Sequence, residues 1–170
     1  MGTKWKAFLL SAAILVFSGV AMAEPIVVYV PLTAPYSDTS MIAKGILDSC
    51  KLPEGQIDFL EEAAQADGGF KIVRDKDAAK KKGLVLLVEI TNAISGGNAF
   101  VGHHKQVSIK GRLLKNGVEI GNFTGFRSSG GGAWAGYKSS CGVLERCIKV
   151  LGKDVIQWLK NPGKNGRIGQ

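Results

Sequence analysis

Gln106-Val-Ser-Ile-Lys-Gly-Arg-Leu113, followed by Leu114-Lys-Asn116-Gly117-Val118, is the stretch that decides the fold. Apolar and polar residues alternate strictly through its first eight positions: Val107, Ile109, Gly111 and Leu113 face one way, and Gln106, Ser108, Lys110 and Arg112 the other. A period of two belongs to a strand with one buried and one wet face. Asn116-Gly117 then supplies the two positive-φ positions of a type I′ hairpin turn, so a return strand is expected from Val118 through Ile120 to Phe126. Apolar phase slips between Ile120 and Phe123, and Gly121 is where a bulge would restore it.

Upstream, Leu84 to Ile90 is nearly all apolar and β-prone, which predicts a central strand continuing to about Ala93. Ser95-Gly96-Gly97-Asn98 predicts the turn that joins it to the alternating strand, giving a three-strand antiparallel meander. Ile26–Val30 and Phe70–Val73 predict two shorter strands. Between these two, Pro53, Glu54, Ile57, Leu60 and Ala64 predict a helix ended by Gly68-Gly69. Residues 41–50 fit a helix only loosely, and their state stays open. A last helix is expected from about Cys141 to Lys160, carrying the stripe Leu144, Cys147, Ile148, Leu151, Val155 and Leu159. The expected fold is α+β: a single, mostly antiparallel sheet of four to five strands, including the meander, covered on one face by two helices.

The N-terminus has the parts of a cleavable secretory signal. Lys4 and Lys6 supply charge, Ala7–Val20 an apolar run, and Ala21-Met22-Ala23 a small-x-small site, so cleavage is expected before Glu24. The run is shorter than the roughly 20 residues that span a bilayer, and no cysteine adjoins the site, so neither a permanent nor an acylated anchor is expected. Residues 24–160 then form one domain and 161–170 a disordered tail. Loss of two lysines and no acid lowers the net charge from +8 to +6. Such an excess suits contact with anionic surfaces such as lipid headgroups or cell-wall polymers, and serves equally for solubility.

The three cysteines would enter an oxidising compartment. Six helical residues separate Cys141 from Cys147 by roughly 9 Å, beyond the roughly 7 Å that a disulfide tolerates. Cys147 lies on the apolar stripe. A Cys50–Cys141 disulfide is therefore expected, with Cys147 buried and free.

Catalytic patterns are weak. Gly131-Gly132-Ala-Trp134-Ala-Gly136-Tyr137-Lys138-Ser139 almost spells a phosphate-binding loop, but Tyr137 displaces the lysine from its place after the second glycine. What survives is a gentler anion site, in which glycine N–H groups at a helix N-terminus are joined by Arg127 and Lys138. Trp134, Tyr137 and Phe126 could form a stacking platform, or simply pack on the last helix. His103 and His104, the only histidines, point to opposite faces if they lie on a strand, and no zinc-ligand spacing accompanies them. Glu61-Glu62 and Asp75 with Asp77 read as surface charge.

The block Arg127 to Leu159, RSSGGGAWAGYKSSCGVLERCIKVLGKDVIQWL, resembles uncharacterised exported proteobacterial proteins related to the DUF4410 family, and Asp48-Ser-Cys-Lys-Leu-Pro53 resembles a second block of that group. The resemblance implies a small envelope domain, similar in outline to sheet-plus-helix domains of some outer-membrane assembly lipoproteins, with no catalytic residue to carry over. This chain departs from those lipoproteins in lacking the acylated cysteine. The expected function is non-catalytic: a periplasmic or secreted protein that binds another envelope component, with Arg127, Gly130, Gly131, Gly132, Trp134, Tyr137 and Lys138 as candidate binding residues. The alternative is a binder of a small anionic ligand or anionic polymer, and a hydrolase is a remote third. No cofactor, metal, nucleic-acid partner or membrane span is implied.

Overall fold

The computed structural model describes residues 24–98, 102–130 and 139–169. Six strands form one mixed sheet in the order β2-β1-β3-β4-β5-β6. They are β1 (Ile26–Val30), β2 (Phe70–Arg74), β3 (Leu84–Asn98), β4 (Gly102–Lys115), β5 (Val118–Gly130) and β6 (Gly166–Ile168). Among the described residues three α-helices accompany them: α1 (Lys44–Ser49), α2 (Leu52–Asp67) and α3 (Ser140–Leu159).

The α+β class and the β3–β4–β5 meander are as the alternation predicts, with β4 paired antiparallel to both neighbours. Asn116 and Gly117 take φ of 53° and 83°, the positive values their turn demands. The phase slip in β5 is a bulge: Leu113 pairs with Gly121 while Leu114 pairs with Glu119, leaving Ile120 unpaired one residue before the expected glycine. Residues 41–50 resolve into a short helix, α1, whose Ile46 is buried.

Three expectations need correction. Ser95–Asn98 is not a turn but the last part of β3, paired in register with Gly102–Lys105. Ladder pairing with a long neighbour outweighs the local turn preference of Ser-Gly-Gly-Asn. The sheet is less antiparallel than expected, because β1 runs parallel to both β2 and β3, and β6 runs parallel to β5. The segment 161–170 is not a disordered tail: Gly166–Ile168 adds a sixth strand against Phe123–Gly125. Glycines admit it, since a Cβ on Gly125 would lie 2.5 Å from Ile168 Cγ1 and one on Gly166 2.6 Å from Trp158 Nε1.

Helices α2 and α3 pack on each other and cover one face, α2 touching β2 and α3 reaching β4, β5 and β6. Beneath them lies one apolar core that includes Leu60, Ile90, Ile109, Leu113, Ile148 and Leu151. Burying such side chains supplies roughly 1.5–3 kcal/mol each before the entropy of ordering is subtracted. Pro53 opens α2 and Gly68, at φ 76°, ends it, so the proline-first, glycine-last signature of the sequence is realised. The Ser139 hydroxyl caps α3 by accepting from the Gly142 N–H.

Candidate functional site

The three long strands run past the apolar core and end in polar residues. On the face toward α3, Ser95 of β3 pairs in register with Lys105 of β4, and Lys105 with Ser129 of β5. This row continues the inward phase of β4, where Lys105, Val107, Ile109, Gly111 and Leu113 are all buried. The N-terminus of α3 lies over it. Lys105 Nζ donates to Ser95 Oγ at 2.6 Å and to Ser140 Oγ at 3.0 Å, and only 7% of the residue is exposed. Lys105 and Gln56 are the buried polar residues among those described, and Lys105 alone carries charge.

A disulfide holds this end together. Cys50, just after α1, is bonded to Cys141 in the first turn of α3 with a Cα–Cα distance of 5.2 Å, and Cys147 is free and buried. Burial among apolar side chains pushes the Cys147 thiol above its ordinary pKa. The cysteine arithmetic therefore describes the structure.

Of the binding residues expected from sequence, Gly131, Gly132, Trp134, Tyr137 and Lys138 lie outside the described residues. Gly130 closes β5 opposite His104. Arg127 is not an open anion ligand: its Nε and Nη2 grip both carboxylate oxygens of Asp154 on α3 at 2.8 Å. A bidentate, partly buried pair of this kind is committed to joining sheet and helix. His104 is exposed, with Nε2 3.3 Å from Gln106 Oε1. The carboxylates read as surface charge do pair with cations there, Glu61 with Arg74, Glu62 with Lys149, Asp75 with Lys81 and Asp77 with Lys80. Among the described residues no three His, Cys, Asp or Glu side chains gather as a metal site would require, and no helix is long and apolar enough to cross a membrane.

The opposite face of the sheet holds an open depression lined by Leu87, Glu89, Lys110, Arg112, Glu119 and Thr124, among others. Its charges answer one another, with Lys110 3.0 Å from Glu89 and Arg112 4.0 Å from Glu119. That balance leaves no net demand for a charged ligand. Lys105 is the residue that reading the sequence missed. The signal was present: extending the β4 alternation back by one period places a lysine on the core face.

No family model and no curated protein matches this chain. Solved structures share its fold. A minor lipoprotein from Acinetobacter baumannii is 11% identical, with 78% of this chain and 91% of that one covered at a TM-score of 0.51. A Xanthomonas campestris protein of family DUF330 is 12% identical over 79% of this chain and 83% of that one, at a TM-score of 0.52. PelC of Paraburkholderia phytofirmans, crystallised as a dodecamer, is 15% identical over 80% and 92%, at 0.49. At such identities the likeness concerns the fold, and this chain carries the same α+β architecture as the first two.

Proposed function

We propose that this is a non-catalytic protein of the Gram-negative cell envelope, exported by residues 1–23, which binds another envelope component along the outer edge of β5. The observation that carries this reading is the length of β6. It covers β5 only at Phe123–Gly125, so among the described residues 127–130 have no strand on their outer side. An extended segment of a partner can pair with the backbone N–H and C=O groups of such an edge. The export signal, the disulfide and a fold shared with a lipoprotein support the compartment. So does the resemblance of the Arg127–Leu159 block to exported proteins related to DUF4410.

Photocrosslinking in intact cells tests it. A crosslinking residue at exposed Ser128 is expected to yield one discrete adduct, and the same residue at Lys153, on the exposed side of α3, none. Adducts at Lys153 with none at Ser128 would place the partner elsewhere and defeat the edge-pairing reading.

A further inference from the structure

Among the described residues the charge on Lys105 meets no carboxylate. All fourteen Asp and Glu residues of the sequence lie among the described residues, and none forms an ion pair with Lys105. The segments 99–101 and 131–138, which flank this end of the sheet in sequence, contain no acid. The other described lysines and arginines differ: each is paired with a carboxylate or exposed to solvent. Removing a cation from water without a counter-charge is strongly unfavourable. Position adds to the cost, because Ser140 begins a 20-residue helix whose N-terminal end is itself partially positive.

We propose that Lys105, Ser95 and Ser140 form a receptor for a single carboxylate group supplied by a ligand. The donors converge. Two N–H bonds of the ammonium go to the serine hydroxyls, and the third has no acceptor among the described residues. Each hydroxyl, while accepting from lysine, keeps its own O–H to donate. The N–H groups of Ser140 and Cys141 have no acceptor inside the helix, as at any helix start. Gly142, by contrast, is capped by Ser139. Ser140 is exposed, so an incoming group meets first the hydroxyl that already bonds the ammonium.

Charge decides between oxyanions. One carboxylate carries the one negative charge that Lys105 lacks, whereas a phosphate monoester brings roughly −1.5 to −2 near pH 7. A second cation would be needed, and Arg127, on the same face of β5, is held by Asp154. The disulfide at Cys141 fixes the N-terminus of α3 over the lysine, so the donors are arranged before the ligand arrives. This site stands independently of partner pairing at the β5 edge: the Ser128 crosslink can fail while the site binds, and the reverse.

The test titrates the oxidised chain beginning at Glu24 with sodium acetate, and separately with inorganic phosphate, at ionic strength held constant with chloride. Amide NMR signals and the melting temperature are the readouts. Acetate is expected to shift the Ser140 and Cys141 amides saturably and to raise Tm. Lys105→Met is expected to weaken that response at least tenfold without lowering the Tm of the unliganded protein, and Ser140→Ala to weaken it less. Two amidated or free peptides then separate the sources: one with only a C-terminal carboxylate, the other with only a glutamate side chain. Saturable binding of either supports the receptor and names the source. Phosphate bound more tightly than acetate, or an acetate response unchanged in Lys105→Met, would overturn it. So would the absence of any saturable response together with a Tm lowered by Lys105→Met, because the lysine would then be a structural element alone.

Discussion

The two ends of the β3–β5 meander are built from the same strands and held by different physics. At the Asn116-Gly117 end the inward row is apolar: Leu86, Ile109, Leu113 and Phe123 lie under α2 and α3, and Phe123 meets Trp158 edge-on with ring centroids 4.8 Å apart. At the Lys105 end the same row is Ser95, Lys105 and Ser129. There an ammonium bonded to two serine hydroxyls takes the place of apolar contact in that row, and a disulfide to Cys50 ties down the overlying helix. A packed end can be rigid without a ligand. A polar end whose buried lysine meets no carboxylate among the described residues is where we propose that a ligand binds.

The contrast breaks most directly at the disulfide. Cys141→Ser opens a link between residues 91 apart, and on the chain-entropy model it is expected to cost about 4–5 kcal/mol. Chemical denaturation would read the loss, and hydrogen exchange should show the first turn of α3 released before its last. Equal protection along α3 in the variant would mean that both ends are held by packing.

The apolar end is expected to be sensitive to volume instead. A Cβ on Gly152 would stand 2.8 Å from the Phe59 carbonyl oxygen, in the closest part of the α2–α3 crossing. Gly152→Val is therefore expected to destabilise by about 1–3 kcal/mol through overpacking, seen as a lower denaturation midpoint. A methyl-bearing side chain accepted there without loss would show the crossing to be looser than its geometry.

The smallest effect comes from acid. Hydrogen bonding to Lys160 holds Asp67 below the usual carboxylate range, and hydrogen bonding to Lys81 does the same for Asp75. A carboxylate whose pKa is depressed by folding contributes stability that is present above its unfolded value, near 3.9, and lost as pH falls through the folded one. Mild loosening is expected below about pH 4, at the Lys160 and Lys81 contacts. The Lys105 cluster, with no acid of its own, should keep its amide protection there. Salt should weaken the same two contacts only in part, because both carboxylates are partly buried.

Much of this was legible in the chain. Strict alternation gave β4 its wet and dry faces, Asn-Gly gave its turn, and the spacing of Cys141 and Cys147 excluded their pairing. Strand β6 was not legible, because Gly166-Arg-Ile168 has no apolar run and three residues cannot nucleate a strand. It forms only because β5 offers an edge and Trp158 a surface. The parallel pairing of β1 was equally hidden, since it depends on where the α2 crossover returns the chain. Arg127 looked like a binding residue while its partner was unknown. Asp154 is 27 positions away, and only folding brings the two together.

By itself, then, the sequence determined what is local: periods, turns, caps, and the cysteine pairing that helical rise allows. These follow from forces acting over a few residues. The tertiary structure decided which strand borders which, which cations are already neutralised, and that Lys105 is buried with no carboxylate beside it among the described residues. Those properties depend on the position of every carboxylate at once, and no window of sequence contains them.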